Sequence, residues 1–435
     1  MNHTSFKIAA TALAVASALS STAYAGGFQL TEQSALALGR AYAGVGVDGT
    51  DVSGMYYNAA TMTLHPGTQV QFGGVGVGLN LEYVAKDGEK NNGRAKEEFV
   101  PHGFISHQIN DSTWVGLSIT VPYGLATDYG DNWSGKQHGH HAEITVINFN
   151  PNVAWKATDT LSIGAGLALQ YVDAKFGVGY NGPGPVNGQN VNVNSKYEAT
   201  DFTWGFNVGL MWQPVDNLRF GLSYRSETKH STNGDLTING KDGNTVLSGT
   251  YDASVTVSGP AWAMATAAWD VNDYLSLYAT FRWADWSSFD RLQTTGAQLG
   301  QMMQHLQGTN LAPILGAMSN IENGWKDTYL MSVGYDLRVN SFWTLRGGIA
   351  YETSPISDEH KRTAIIPDAD RWWFAIGSSF HWTKDFQTDI GFAHLHGVHE
   401  RSLYSQNLAT GEWAEDGRYR HLDAYLLGVQ MQYRF

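Results

Sequence analysis

The 435-residue chain has no cysteine. Without thiols it can build neither a disulfide framework nor a thiolate metal site. Basic residues are scarce too: 27 Lys and Arg stand against 40 Asp and Glu, a formal charge of −13. That balance argues against nucleic acid as a partner, which would need a basic face. Beyond residue 25 there is no apolar run of 18 residues, so no membrane-spanning helix is expected. No linker, proline-rich stretch or charge block divides the chain, although its length would allow two or three soluble domains. The G-x-S-x-G, Walker and H-E-x-x-H patterns are also missing, and neither a catalytic residue nor a cofactor is expected.

What is present begins with an export signal. Lys7 is the only charged residue among the first 25, Ile8 to Leu19 form a short apolar run, and Ala23-Tyr24-Ala25 reads as a small-x-small cleavage site. Residues 1–25 are therefore expected to be a secretory signal peptide. Aromatic residues make up 12% of the chain, glycine is abundant at 49, and only 15% of residues are charged. Soluble acidic proteins rarely carry so many tryptophans, whereas barrels with aromatic girdles do.

Periodicity agrees. Leu275, Leu277, Ala279, Phe281 and Trp283 share one face of a strand, with Ser276, Tyr278, Thr280 and Arg282 on the other. The stretches 218–225 and 343–351 alternate in the same way, which is the strand signature. Alternation alone fits both a soluble sandwich and a membrane barrel, but the turns favour the barrel. Short polar turns recur at Asn110-Asp111, Thr158-Asp159, Asp216-Asn217, Asn272-Asp273, Asn340-Ser341 and Lys384-Asp385. Longer connections are expected at 180–197, 230–248, 293–325 and 400–418. Tight turns at one end and long loops at the other is the outer-membrane arrangement. The count predicts an all-β fold, a closed transmembrane β-barrel of 14 antiparallel strands over residues 68–435. A last strand alternating from Tyr425 to Phe435 resembles the sorting signal that bacterial outer-membrane barrels present to their assembly machinery.

Residues 26–67 precede the barrel and are rich in Gly, Ala, Ser and Thr. They read as a hatch folded into a lumen too wide for the wall's own side chains to fill, or else as a disordered periplasmic tail. Here the residues resemble a known family. Gly27-Phe-Gln-Leu30, Leu38-Gly-Arg-Ala-Tyr-Ala-Gly44 and Asn58-Ala-Ala60 are similar to the hatch of the FadL family of Gram-negative outer-membrane transporters. The similarity continues at Tyr123–Thr127, Trp283–Phe289, Trp325–Tyr329, Gly348–Pro355 and Ile366–Arg371. It implies passive uptake of long-chain fatty acids or other hydrophobic molecules. The substrate would land between extracellular loops, pass a pocket beside N-terminal residues such as Phe28, and leave sideways where a wall strand kinks inward. The surroundings would be outer-membrane lipid and lipopolysaccharide, and the transporter a monomer. An aromatic-hydrocarbon channel of the same family is the alternative substrate reading, and an outer-membrane lipid hydrolase the alternative of another class.

Several residues are singled out. Val115, Leu117, Ile119 and Val121 run outward until Pro122 interrupts them, with Gly124 two residues on. Proline in a sheet marks a bulge or break, so Pro122 and Gly124 are the candidate gate, with Asn58 as the lining residue. The family carries Asn-Tyr-Gly where this chain has Pro122-Tyr-Gly, and Asn-Pro-Ala where it has Asn58-Ala-Ala. By the resemblance, the basic residues that meet a ligand carboxylate fall near Val178 and Gln293, neither of which is basic. Arg282, Arg291 and Arg371 are the candidate replacements, unless the ligand is uncharged. In 297–318, Leu299, Met302, Met303 and Leu306, and then Ile314 and Met318, recur at helical spacing. They form either an extracellular landing groove or a loop packed on its neighbours. The His138–His141 and His394–His399 clusters read as solvated rim residues, and no metal site is assigned.

Overall fold

Alternating residues become strand wherever the short turns permit a hairpin. The computed structural model describes residues 26–93, 98–243, 245–398 and 401–435; the expected signal peptide lies outside them. Fourteen antiparallel strands close into one barrel. They are β1 Thr68–Ala85, β2 Glu98–Asn110, β3 Thr113–Asp128, β4 His141–Lys156, β5 Leu161–Pro183 and β6 Asn190–Val215. Next come β7, in two pieces Leu218–Arg225 and Thr228–Asp242, and β8, in two pieces Thr245–Gly259 and Trp262–Asp270. The rest are β9 Leu275–Ala284, β10 Thr328–Arg338, β11 Trp343–Glu352, β12 Arg371–His381, β13 Phe386–Gly397 and β14 Trp413–Arg434. Pairing of β14 with β1, from Gln69–Arg434 to Ala85–Gly417, closes the wall. Closure leaves no free edge, as hydrocarbon requires.

All six expected short turns join consecutive strands at one end. A side-chain oxygen closes most of them: Asn272 Oδ1 accepts from the amides of Tyr274 and Leu275 at 2.9 and 3.0 Å. Asn340 does the same for Phe342 and Trp343, and the hydroxyl of Thr383 for Asp385 and Phe386. These side chains mimic a backbone turn, which is why they mark hairpins in sequence. Next to the turns lies an exposed girdle of Trp155, Trp212, Trp269, Trp382 and Tyr433; Trp204, Phe281, Tyr329, Trp372 and Tyr425 form a second one further up. Between them the outward positions are apolar and mostly aliphatic, among them Ile163, Leu222, Val333, Ile376 and Val429.

Stretches expected as loops carry strand instead. Residues 180–183 pair with 190–193, 228–242 pair with 245–259, and 401–406 pair with 413–419. Beyond the bilayer the outward face of a hairpin can be polar, and the apolar residues of these Asn-, Thr- and Gly-rich strands, among them Val191, Leu236, Ile238 and Val255, point into the lumen, the reverse of the lipid-facing pattern that marks the other strands.

Residues 26–62 are buried almost without exception, inside the wall. They hold two one-turn helices, α1 Ala35–Leu38 and α2 Gly54–Tyr57, followed by a 3₁₀ turn at Ala59–Leu64. The abundance of glycine has its reason here. A Cβ added at Gly348 would lie 2.2 Å from the carbonyl oxygen of Arg40, one at Gly391 2.2 Å from that of Ala35, and one at Gly164 2.4 Å from the amide of Ala60. Lumen-facing glycines let the backbone of the inner segment lie directly on the backbone of the wall. Gly348→Val should therefore dislodge the segment, costing at least the about 1–3 kcal/mol typical of overpacking, while leaving the outward face intact. The expected result is a heat-modifiable barrel whose conductance in planar bilayers exceeds that of the wild type.

Candidate functional site

The ladder between β2 and β3 stops early. Their register runs from Asn110–Thr113 only to Gly103–Ile119, whereas β3 continues to Asp128. On its other side β3 follows β4 to that end, with one extra residue absorbed between Thr120 and Tyr123. This is a β-bulge at Val121–Pro122. The edge of β3 that β2 abandons is taken up by the inner segment. Leu30 N donates to Pro122 O at 2.8 Å, Gly124 N donates to Phe28 O at 3.0 Å, and Gln29 and Tyr123 form an antiparallel bridge. Gln33 satisfies the bulge: its Nε2 donates to Val121 O at 2.7 Å, and Val121 N donates to its Oε1 at 3.2 Å. One carboxamide and a short run of backbone thus stand in for a missing strand.

Asn58, expected to line this gap, is elsewhere. Its Nδ2 donates to Gly46 O and to Leu210 O on β6, both at 2.9 Å, and its Oδ1 accepts from Ala60 N, capping the 3₁₀ turn. Gly209 leaves room for that amide. Gln33 has the property that pointed to Asn58, an amide that both donates and accepts, but no linear signal links residue 33 to residue 121.

Phe28 sits in an aromatic cage. Its ring centroid lies 4.8 Å from Trp286, 5.5 Å from Phe289 and 6.0 Å from Tyr123, all edge-to-face. Only glycine fits before it, because Gly27 has φ 76° and a Cβ there would meet Trp286 and Trp325 at 2.8 Å. Beside the cage, Leu30, Tyr42, Tyr56, Tyr57, Trp262 and Arg282 enclose a space of only about 10 Å³, room for about one water.

Two of the three candidate arginines come together. Arg282 Nη2 lies 2.7 Å from Glu352 Oε1, Arg371 Nε lies 3.4 Å from Glu352 Oε2, and Arg371 Nη2 lies 2.6 Å from Asp368 Oδ1. Arg282 also donates to Thr31 Oγ1 at 2.8 Å. Arg291 is not among them; its half-exposed side chain meets Asp290 outside the wall. Within this cluster two guanidinium groups balance Glu352 and Asp368. Glu32 is a further carboxylate, fully buried, and neither of its oxygens accepts a hydrogen bond from another residue. Burial, and after it the charge of Glu352, lifts the Glu32 carboxyl from 4.5 to about 7.

Above the cluster, helices α3 Ala297–His305 and α4 Leu311–Met318 cap the barrel mouth. Leu299, Met302, Leu311, Ile314 and Leu315 are buried in the same apolar core as the lumen residues Val191, Ile238 and Val255, with Met303, Leu306 and Met318 packed at its margin. The apolar faces therefore lie against neighbours. Asn310 pins the loop: its Nδ2 donates to Asp242 Oδ1 at 2.9 Å, and its Oδ1 accepts from Val186 N at 2.8 Å.

A family model described as outer membrane protein transport protein (OMPP1/FadL/TodX) matches residues 16–435. The chain belongs to this family. Among curated relatives, the long-chain fatty acid transport protein of Escherichia coli O6:H1 is 28% identical over 464 residues, covering 98% of each chain. The 47 kDa outer membrane protein of Pasteurella multocida is 29% identical over 414 residues, covering 89% of this chain and 90% of the other. Among solved structures, a Pseudomonas aeruginosa FadL homologue superposes with a TM-score of 0.81 at 22% identity, covering 94% of this chain and all of that one. The toluene transporter TodX of Pseudomonas putida gives 0.71 at 17% identity, covering 92% and 98%. The protein is thus an outer-membrane barrel whose relatives are transport proteins.

Of the two positions where the FadL resemblance implies basic ligand contacts, Val178 is buried in β5 and Gln293 is exposed beside Arg291. His138 and His140, expected as solvated rim residues, are buried instead, and His138 meets Asp416 at 2.7 Å; His399 lies outside the described residues.

Glu32 gives seating of the inner segment a pH dependence. Withdrawn into water, the carboxyl titrates near 4.5; seated, it keeps its proton up to about 7. Seating is tightest below pH 4.5 and weakens as pH rises to about 7, by roughly 3 kcal/mol in all. Asp51, lifted by its own burial to about 6, acts in the same direction over a lower range. Spontaneous opening in planar bilayers should become more frequent between about pH 6 and pH 7.5. In Glu32→Gln that step should vanish while the change below about pH 6 persists.

Proposed function

We propose that the protein is a passive outer-membrane transporter of long-chain fatty acids or other hydrophobic molecules, acting without catalysis, and that residues 26–67 are its hatch. The substrate enters from the extracellular mouth, binds beside Phe28 and the hatch, and leaves sideways into lipid between β2 and β3. One observation carries this reading: the upper half of β3 is paired to hatch residues instead of to β2. The fatty-acid transporters among its relatives support the substrate class. A greasy solute cannot pass cheaply through a water-filled channel, but it can enter hydrocarbon through a gap at membrane depth. Binding energy released in the cage offsets the few hydrogen bonds lost when residues 28–33 leave β3, each worth about 1 kcal/mol net.

The absence of cysteine makes this testable. Gln29 and Tyr123 are bridge partners, and facing residues in an antiparallel pair stand about 4.5–5.5 Å apart, within disulfide reach. Gln29→Cys with Tyr123→Cys should lock the hatch to the wall. Uptake of a labelled fatty acid by cells carrying the oxidised pair should fall at least tenfold and recover on reduction. Unchanged uptake through the locked barrel would rule out the sideways route.

An uncharged ligand is the second reading, favoured by the pairing of Arg282 and Arg371 with Glu352 and Asp368. A bound carboxylate would need a partner of its own, because burying it bare is costly. Affinities of the purified barrel for a fatty acid and for its methyl ester separate the two. Equal affinity supports the uncharged ligand, and a clear preference for the acid supports the fatty acid.

A further inference from the structure

The lipid-facing series of β13 reads Ile390, Phe392, His394, His396, and that of β14 reads Val429, Leu427, Tyr425, Asp423. Their cross-strand pairs are Phe392–Leu427, His394–Tyr425 and His396–Asp423. At the level of the upper aromatic girdle, beside Trp372 on β12, the apolar surface gives way to two imidazoles and a carboxylate. A His-x-His pair on a strand puts both rings on one face, and here the neighbouring strand brings an acid to the same spot.

The atoms converge. His396 Nδ1 lies 2.8 Å from Asp423 Oδ1, and His394 Nε2 lies 4.0 Å from that same oxygen. All three donor atoms fall within 4.8 Å of one another. The ring of His394 is held by stacking on Tyr425, with centroids 4.8 Å apart and planes 8° from parallel. Its Nε2 is buried and makes no hydrogen bond. A pair of histidines that merely decorated the rim would turn its nitrogens to water; this nitrogen faces the carboxylate instead.

We propose that His394, His396 and Asp423 form a binding site for a zinc-class divalent cation on the outer rim of the barrel. With bonds of about 2.0–2.1 Å, a tetrahedral ion holds its donors about 3.3 Å apart, and the present 2.8 and 4.0 Å bracket that spacing. The third pair, the two imidazole nitrogens, lies within 4.8 Å and has to close by up to about 1.5 Å, which side-chain torsions of the two histidines can supply. Two imidazoles and one carboxylate suit zinc or copper, whereas calcium and magnesium prefer all-oxygen sets. Three protein donors leave one position open, toward the headgroup layer. The site lies on the outer face of β13 and β14, whose inner faces carry α1 at Gly391 and Gly428, and it is separate from the candidate gate between β2 and β3.

Isothermal titration of the purified, detergent-solubilised barrel with zinc chloride tests it. One equivalent should bind, and affinity should fall by at least the about 10- to 100-fold that losing even an outer-shell partner costs in each of His396→Gln, His394→Gln and Asp423→Asn. Heat-modifiable migration identifies folded variants, and Asp423→Asn, which leaves both rings in place, serves if a histidine variant fails to assemble. No zinc binding by the wild type, or undiminished affinity in the folded variants, would overturn the proposal.

Discussion

The hydrogen-bonding demand of the upper half of β3 is the constraint on which the rest of the structure depends. In hydrocarbon each unpaired backbone group costs several kcal/mol, so a barrel ordinarily pairs every strand on both sides. Here the β2–β3 ladder ends at Gly103–Ile119, and the debt is met from inside by Phe28, Leu30 and Gln33. A strand-to-strand seam of full length would be permanent. Here two backbone bonds and one carboxamide hold the seam where a full ladder would supply many more.

The charges divide the inner segment into parts that differ in how firmly they are held. Around residues 27–33, the ion pairs run between wall and loop residues: Arg282, Arg371, Glu352 and Asp368 balance one another without the segment. Withdrawing residues 28–33 leaves that set intact. Arg40 is different. It is buried between Asp48 of its own segment and Asp336 of β10, and Asp336 is shared with Arg346 of the wall. Breaking a buried pair by removing one partner costs about 3–5 kcal/mol. The segment is therefore anchored from Arg40 onward and loosest where it seals the wall.

Glu32 stands at the boundary between these parts. It is the carboxylate that the local arginines do not balance, and its raised pKa follows from burial next to Glu352. The glycines of the wall complete the arrangement, since Gly348 and Gly391 allow the anchored part to lie on the sheet at backbone distance. Small residues in the segment and small residues in the wall answer each other, although nothing in either stretch alone says so.

The barrel was legible in the sequence because its signals are local. Alternation with period two, Asx and Thr turns at regular intervals, and girdle aromatics beside those turns depend only on neighbours along the chain. The closing strand is equally short-range. The hairpin extensions escaped notice, because their outward face is polar and their apolar residues, such as Leu236, Ile238 and Val255, face the lumen. Sequence reasoning also found Pro122 as a break and grouped Arg282 with Arg371. It misassigned the partner at the break to Asn58 and included Arg291, which lies outside the wall. Only the tertiary structure decided that Gln33 fills the bulge, that Glu32 is buried without a partner, and that Asp423 meets His394 and His396. These contacts join residues far apart in the chain, and they depend on how the closed wall surrounds the segment inside it, which no local pattern encodes.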